Sequence, residues 1–203
     1  MNIRPNVGVP AALLLFAGCI TSNDNAGGNP NSTGMATLTG TIGGQSFAPS
    51  DAISVNATTA TPPGNVGAVA ITSQVGLCGR ITSGQNSKNA QYLILVMGDY
   101  NTFTQATVAP SAPGTYTIYV SGQRPAQFAG AVYQKTDANC RVTSTLGATS
   151  GAVTITSASG GSFSGSFELT LETTGDHITG TFTSANCALL ENVLNQTTQL
   201  QCG

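Results

Sequence analysis

The sequence predicts an all-β domain, an antiparallel β-sandwich or a flattened up-and-down barrel of about ten strands. Apolar and polar residues alternate through residues 150–184, and short segments of the same kind recur between turn signals along the chain. Such a period of two is typical of strands with one buried face. Only residues 188–194, ALLENVL, have a helical pattern, so we expect at most one short helix, near the C-terminus.

The segments of the β-domain, residues 35–203, can be assigned in chain order. The predicted strands are 38–42, 45–47 with a continuation at 51–55, 66–72, 91–97, 115–120, 128–135, 141–146 and then the three strands of 150–184. Gly43-Gly44 between the first two strands is a two-residue hairpin signal. Residues 91–97, QYLILVM, are apolar on both faces, so a central strand covered on both sides is expected, with a short helix as the alternative.

The segment 150–184 is expected to form three consecutive antiparallel strands. Its two predicted turns are 159–162, SGGS, and 174–176, TGD. One face of the middle strand is apolar and the opposite face is polar. The apolar face comprises Phe163, Gly165, Phe167, Leu169 and Leu171. The other parts of the domain are expected to pack around this meander.

Composition excludes one class of partner. Only 7% of the 203 residues are charged, the formal net charge is −2, and Lys and Arg do not cluster. The electrostatic footprint of a nucleic-acid-binding protein is therefore missing, and no nucleic-acid partner is predicted. The sequence has no Trp and only 6% aromatic residues, which argues against a stacking platform for bases or sugars.

No catalytic constellation, metal site or cofactor site is predicted, so the chain is not expected to be an enzyme. His177 is its one histidine and follows Asp176, but neighbouring strand residues point to opposite faces. A solvated turn histidine is therefore expected. Glu168 and Glu172 are about 13 Å apart along a strand, too far for a retaining carboxylate pair. Asp51 is expected to cap or bend a strand.

Four cysteines besides Cys19 are expected to form two disulfides, since an even number in an exported chain is typical of a structural framework. Their spacings fit no zinc or redox motif. Counting strands in an up-and-down order favours Cys140–Cys187 with Cys78–Cys202. The local alternative is Cys187–Cys202 with Cys78–Cys140.

The N-terminus resembles an export signal of bacterial lipoproteins. Residues 1–18 contain an apolar run too short to span a bilayer, and residues 16–19, FAGC, resemble a lipobox. The resemblance implies cleavage before Cys19 and acylation of Cys19, with residues 19–34 as lipidated residue and flexible tether. Several acyl chains anchor a protein stably to a membrane. Ile20 instead of Asp after that cysteine favours the outer membrane. An ordinary secretory signal with an unrelated cysteine is the alternative.

Two further motifs extend the resemblance over most of the mature chain. The start GTIGGQSF at residues 40–47 and the later pieces SGAVTIT, SGSFELT and ITGTFTSANC resemble small bacterial lipoproteins with a single β-rich domain of unknown function. The resemblance implies an envelope location and a β-fold. It transfers no catalytic residue.

The sequence leaves two classes of function open. The first is a non-catalytic binding or structural module of the envelope, whose protein or small-molecule ligand the sequence does not identify. Its exposed loops would be 56–65, 76–90 and 98–114. The second is a lipocalin-like small barrel that carries an apolar ligand in an interior cavity. A hydrolase ranks third, because its base would have to be His177.

Overall fold

A computed structural model describes residues 33–60, 63–172, 175–195 and 200–203. In chain order these residues form β1 (Met35–Thr39), β2 (Thr41–Ile42), β3 (Gln45–Ser46), β4 (Asp51–Ala60), β5 (Pro63–Thr72), α1 (Leu77–Thr82), β6 (Gln85–Asn86), β7 (Gln91–Tyr100), β8 (Thr107–Val108), β9 (Gly114–Ile118), β10 (Gln127–Thr136), β11 (Val142–Ser159), β12 (Ser162–Leu171), β13 (His177–Thr183), β14 (Ala185–Asn186), α2 (Leu190–Leu194) and β15 (Gln201–Cys202). The all-β class is confirmed.

One large mixed sheet contains eleven of the described strands, in the order β1-β13-β12-β11-β9-β10-β7-β8-β5-β4-β14. The expected meander is confirmed, because β11, β12 and β13 pair antiparallel in sequence. The expectation of a purely antiparallel order is corrected at β9, β14 and β8, which pair parallel with β10, β4 and β5. Strand β11 is long enough to pair with two strands on the same side. Its first part pairs with β10 and its second part with β9.

The sheet curls until its two ends meet on one continuous segment. Strand β13 pairs with β1 at one end of the sheet. Only Ser184 separates β13 from β14, and β14 pairs with β4 at the other end. Two buried hydroxyl contacts reinforce this junction. The Ser184 and Ser54 side-chain oxygens are 2.7 Å apart, and Ser54 Oγ donates to the carbonyl of Gly161 at 2.7 Å. The closure corresponds to the flattened barrel of the two predicted architectures rather than to two separate sheets.

The inner face of the curled sheet holds the first hydrophobic core. The alternation predicted for β12 is confirmed there, since Phe163, Phe167, Leu169 and Leu171 are buried and Glu168 is exposed. Aromatic and aliphatic side chains from most of the large strands join them in one cluster. Its largest members include Tyr116, Tyr133, Phe47, Leu93, Leu95, Met97, Ile71, Ile155 and Ile178.

A second core lies on the outer face of β4, β5 and β7, under the two helices. It contains the alternate side chains of β4 and β5, such as Ile53 and Val66, and the buried faces of α1 and α2. Tyr92 and Val96 of β7 pack against it while other residues of β7 enter the first core. The prediction of a central strand covered on both sides is therefore confirmed.

Helix α1 corrects two predictions, that of a plain loop at residues 76–90 and that of at most one short helix. The predicted loop 56–65 is also corrected, because β4 and β5 include residues 56–60 and 63–65. In α1, Leu77, Cys78 and Ile81 are buried, so one face of this single turn and a half is apolar. The segment is too short to show a helical period in the sequence. Its helical structure is stabilised by packing of the apolar face in the second core. Helix α2 falls within the predicted helical residues 188–194. The Gly43-Gly44 hairpin is also confirmed, with φ of 58° and 73° at the two glycines.

The four cysteines form two disulfides, Cys78–Cys187 and Cys140–Cys202. Both pairings considered from the sequence, Cys140–Cys187 with Cys78–Cys202 and Cys187–Cys202 with Cys78–Cys140, are wrong. Strand counting failed first at β9. Because β9 runs parallel to β10, the chain makes one reversal fewer between Cys78 and Cys140 than an up-and-down order requires.

The second failure comes from the stagger of a curled sheet. Strand ends shift along the axis when a sheet closes, so a strand count no longer defines an end of the fold. The segment after β13 meets β4 at Ile53 and Ser54, and Cys187 N–H donates to the Ser54 carbonyl at 2.7 Å. This contact places Cys187 in the second core, beside Cys78 of α1.

Candidate functional site

His177 lies on the surface, as predicted, but has a partner that the sequence analysis missed. Its Nε2 is 3.0 Å from Glu168 Oε1, and the two side chains are 56% and 70% exposed. The residues are diagonal neighbours, since Thr170 pairs with His177 and Glu168 with Thr179. A diagonal cross-strand pair is within reach of long side chains. The register of β12 and β13 would have revealed it.

The acidic residues considered from the sequence have structural partners. Glu172 accepts a hydrogen bond from the Gly147 N–H at 2.8 Å, and Asp176 accepts one from the Gly43 N–H at 2.6 Å. Asp51 accepts three, from Gly34, Ala52 and Leu77. In the part of the chain that the structure describes, no group of three or more His, Cys, Asp or Glu side chains is arranged to hold a metal ion.

An open cleft of about 680 Å³ lies where β7 ends and β10 begins. Two loops form its walls, residues 101–106 and residues 119–124. The first belongs to the loop 98–114, which the sequence analysis named as a candidate binding loop. The lining residues are Tyr100, Thr102, Thr104, Gln105, Tyr119, Gly122, Gln123 and Arg124.

Short hydrogen bonds fix the shape of both walls. Asn101 Oδ1 accepts from the N–H groups of Phe103 and Thr104 at 2.9 and 3.1 Å, and Asn101 N–H donates to the carbonyl of Ala106 at 2.9 Å. In the second wall, the Tyr119 hydroxyl donates to the Gly122 carbonyl at 2.8 Å. The Thr104 hydroxyl also accepts a bond from the Ala106 N–H at 3.4 Å, within its own wall. Each loop is therefore held mainly by bonds within itself.

Arg124 is the one cation among the described residues of the lining, and three aromatic rings surround it. The central guanidinium carbon is 5.0 Å from the ring centre of Tyr100, 5.7 Å from that of Tyr119 and 4.9 Å from that of Phe128. All three distances lie within the range of cation–π attraction. Among the described residues, no carboxylate lies within ion-pair distance of this guanidinium.

Asp99, the carboxylate next to the cleft in sequence, is engaged elsewhere. Its two oxygens accept from the Tyr116 hydroxyl at 3.4 Å and from Gln127 Nε2 at 3.2 Å. Tyr116 is only 1% exposed. Burial, together with the negative charge of Asp99, raises the pKa of Tyr116 to about 12. The phenol keeps its proton at physiological pH and donates it in the hydrogen bond to Asp99.

No sequence motif marks Arg124, Tyr119 or Phe128 as a site residue, and Asp99 and Tyr100 fall only within the predicted loop 98–114. One signal was present in a chain with six Lys and Arg residues: Arg124 stands in a short loop between two aromatic residues, Tyr119 and Phe128. The third ring, Tyr100, comes from another strand, and only the pairing of β7 with β10 brings it near.

The predicted signal peptide 1–18, the predicted lipidation site Cys19 and the tether as far as residue 32 lie outside the described residues. Neither helix in the described ranges is long and apolar enough to cross a membrane.

Comparisons with protein-family models, with curated proteins and with solved structures each return no significant match to this chain.

Proposed function

We propose that this chain is an exported, lipid-anchored, non-catalytic binding module of the bacterial envelope and that the cleft beside Arg124 holds its ligand. The observation that supports this most directly is the cleft itself. It joins a cation that has no carboxylate partner among the described residues to hydroxyl and amide side chains on two hydrogen-bonded loops. Such convergent polar groups fix the orientation of a bound molecule.

The chemistry of the lining favours binding over catalysis. Its side chains are hydroxyl, amide, phenol and guanidinium groups. These groups donate and accept hydrogen bonds near neutral pH but do not exchange protons there. His177 is committed to Glu168 on the outer surface of β12 and β13. A ligand in the cleft would therefore be held without being transformed.

An alternative binding mode, the lipocalin-like barrel with an apolar ligand, would place the ligand inside the curled sheet. The described interior side chains instead pack as one continuous cluster that includes Tyr116, Phe163 and Phe167. These described side chains already occupy the inner face of the sheet, which favours the outer cleft as the ligand site.

The two disulfides indicate an oxidising, extracytoplasmic compartment. The lipobox-like residues 16–19 support the finer proposal of an acylated Cys19 at the outer membrane. A protein held there on a tether would present its cleft to molecules of the envelope or its surroundings.

Lipid anchoring is tested by expressing the whole precursor in a Gram-negative bacterium. Intact-mass analysis of the membrane fraction should show loss of residues 1–18 and several acyl chains on Cys19, because multiple chains are needed for stable anchoring. The Cys19→Ser variant is the matched control and should carry no acyl group. A wild-type product cleaved elsewhere, with Cys19 unmodified, would contradict the proposal.

A further inference from the structure

We propose that the cleft recognises an acidic sugar, with Arg124 binding its carboxylate; the proposal rests on the binding function assigned above to the same cleft. Three observations support it: the guanidinium contacts aromatic rings, the other lining side chains carry hydroxyl and amide groups, and no second cation is found among the described lining residues.

The N–H groups of Arg124 are available to a ligand. A guanidinium has five N–H donors in one plane, and none of them donates to an acceptor among the described residues. Its three ring contacts engage the charge and leave those N–H donors unused. A planar carboxylate matches two adjacent N–H groups in a bidentate pair. Within the described part of the chain, Arg124 is thus an oriented cation with no anion bound to it.

The aromatic surroundings strengthen such a pair. Arg124 is partly buried, and the rings of Tyr100, Tyr119 and Phe128 cover part of its guanidinium. Charge-assisted hydrogen bonds are stronger where the local dielectric is low. The rings also limit the positions of the side chain, so less conformational entropy is lost when a ligand binds.

The remaining lining groups indicate a ligand rich in hydroxyls. Thr102, Thr104, Gln105 and Gln123 offer neutral donors and acceptors beside the single charge. Sugar hydroxyls both donate and accept, as do these side chains. One carboxylate surrounded by hydroxyls is the composition of a uronic-acid residue, and an open cleft permits such residues to continue as a chain.

Other anionic ligands fit less well. A nucleic acid carries a phosphate at every step and requires a row of cations, whereas this lining contains one. Two common modes of peptide binding are addition of a strand at a sheet edge and placement of apolar side chains in pockets. The lining residues that the structure describes include no aliphatic side chain for that purpose.

The first test uses the full mature chain in detergent and needs no variant. Calorimetric titration with trigalacturonate should show saturable binding, and the methyl ester of the same trisaccharide should bind at least ~10-fold more weakly, because the ester removes the charge-assisted pair. Equal affinities for acid and ester, or no saturable binding of the acid, would overturn the proposal. So would tighter binding of a tetraglutamate peptide.

The second test assigns the charge to Arg124. Arg124→Gln should weaken trigalacturonate binding at least ~10-fold and weaken binding of the ester much less, because the ester makes no charge-assisted pair with Arg124. Arg141→Gln is the matched control, because Arg141 is exposed at the other end of β10. Its affinities should equal those of the wild type. An unchanged acid affinity in folded Arg124→Gln would show that the carboxylate does not bind there. Folding is checked by thermal unfolding.

Thr102→Trp separates failure of this inference from failure of the proposed cleft, with Thr183→Trp on the exposed face of β13 as its control. Filling the cleft should abolish binding of both acid and ester. If Thr102→Trp abolishes binding while Arg124→Gln has no effect, the cleft binds a ligand but the carboxylate assignment is wrong. If neither variant changes binding, both the cleft and its assignment are wrong.

Discussion

At the scale of single residues, Asp51 shows how one buried charge can join three parts of a chain. It is completely buried at the start of β4. One carboxylate oxygen accepts from the N–H groups of Gly34 and Ala52 at 3.0 and 2.8 Å, and the other accepts from Leu77 N–H at 2.9 Å. Leu77 is the first residue of α1, so Asp51 links the approach to β1, the start of β4 and the second core. A buried carboxylate is tolerated where its lone pairs are satisfied in this way.

Replacing this carboxylate by an amide should destabilise the fold. In Asp51→Asn, one oxygen acceptor becomes an N–H donor that faces a backbone N–H, and the cost should be at least ~2 kcal/mol. Asp137→Asn is the matched control, because Asp137 also accepts two backbone N–H bonds, from Asn139 and Arg141, in a solvent-exposed turn. That change should cost less than ~1 kcal/mol, since water can replace the lost partner. Urea unfolding measures both, and equal losses would contradict the role given to burial.

At the scale of elements, the packing of β12 on β13 depends on a glycine opposite an aromatic residue. Phe167 pairs with Gly180, and Phe167 is buried in the first core. A Cβ at Gly180 would lie 2.4 Å from Phe167 Cζ and 2.1 Å from the carbonyl oxygen of Thr37 in β1. The missing side chain therefore lets the ring lie across the strand and lets β1 approach it.

Gly180→Ala should lower the free energy of unfolding by about 1–3 kcal/mol, because the added methyl group overpacks this contact. Gly130→Ala in β10 is the matched control. A Cβ there meets no atom within 4 Å, and Gly130 is not among the glycines with positive φ. It should leave stability unchanged or raise it by ~0.4–1 kcal/mol through the lower entropy of the unfolded chain. Similar losses in both variants, measured in denaturant titrations, would show that space at Gly180 is not the cause.

The sequence predicts such elements well where local pattern decides them. The alternation around Phe167, the Gly43-Gly44 hairpin and the apolar strand containing Leu93 each correspond to an observed element. It does not predict α1, whose single apolar face becomes visible only against β4. Nor does it predict the cleft, because Tyr100 and Arg124 meet through strand pairing between segments more than twenty residues apart.

At the scale of the whole molecule, the two disulfides have different surroundings. Cys78 and Cys187 are both buried in the second core between α1, α2 and the sheet. Cys140–Cys202 joins the turn after β10 to the two-residue strand β15, and Cys202 is exposed. The first bridge therefore connects parts of the chain that are already packed, whereas the second attaches a terminal segment paired only with β6 in the two-stranded sheet.

This difference predicts unequal effects of removing the bridges. The sequence separations are 109 and 62, for which the chain-entropy model gives about 5 and 4 kcal/mol. Without Cys140–Cys202, residues 200–203 can fray in the folded protein and regain part of that entropy, so the measured loss should fall below ~4 kcal/mol. Without Cys78–Cys187 no such local release is available, and a buried contact of the second core is lost as well, so the loss should reach about 5 kcal/mol or more.

Paired Cys→Ser variants measured by urea unfolding compare the two bridges directly. Mild reduction followed by peptide mapping shows independently which disulfide is reduced first. Cys140–Cys202 should open first, because a thiolate must reach a sulfur before exchange can occur. Earlier opening of Cys78–Cys187, or equal losses in the two double variants, would show that the second core does not shield its disulfide. Recovery of Cys140 linked to Cys187 from the untreated protein would reinstate the up-and-down strand order, and with it a different position for the chain between β7 and β10.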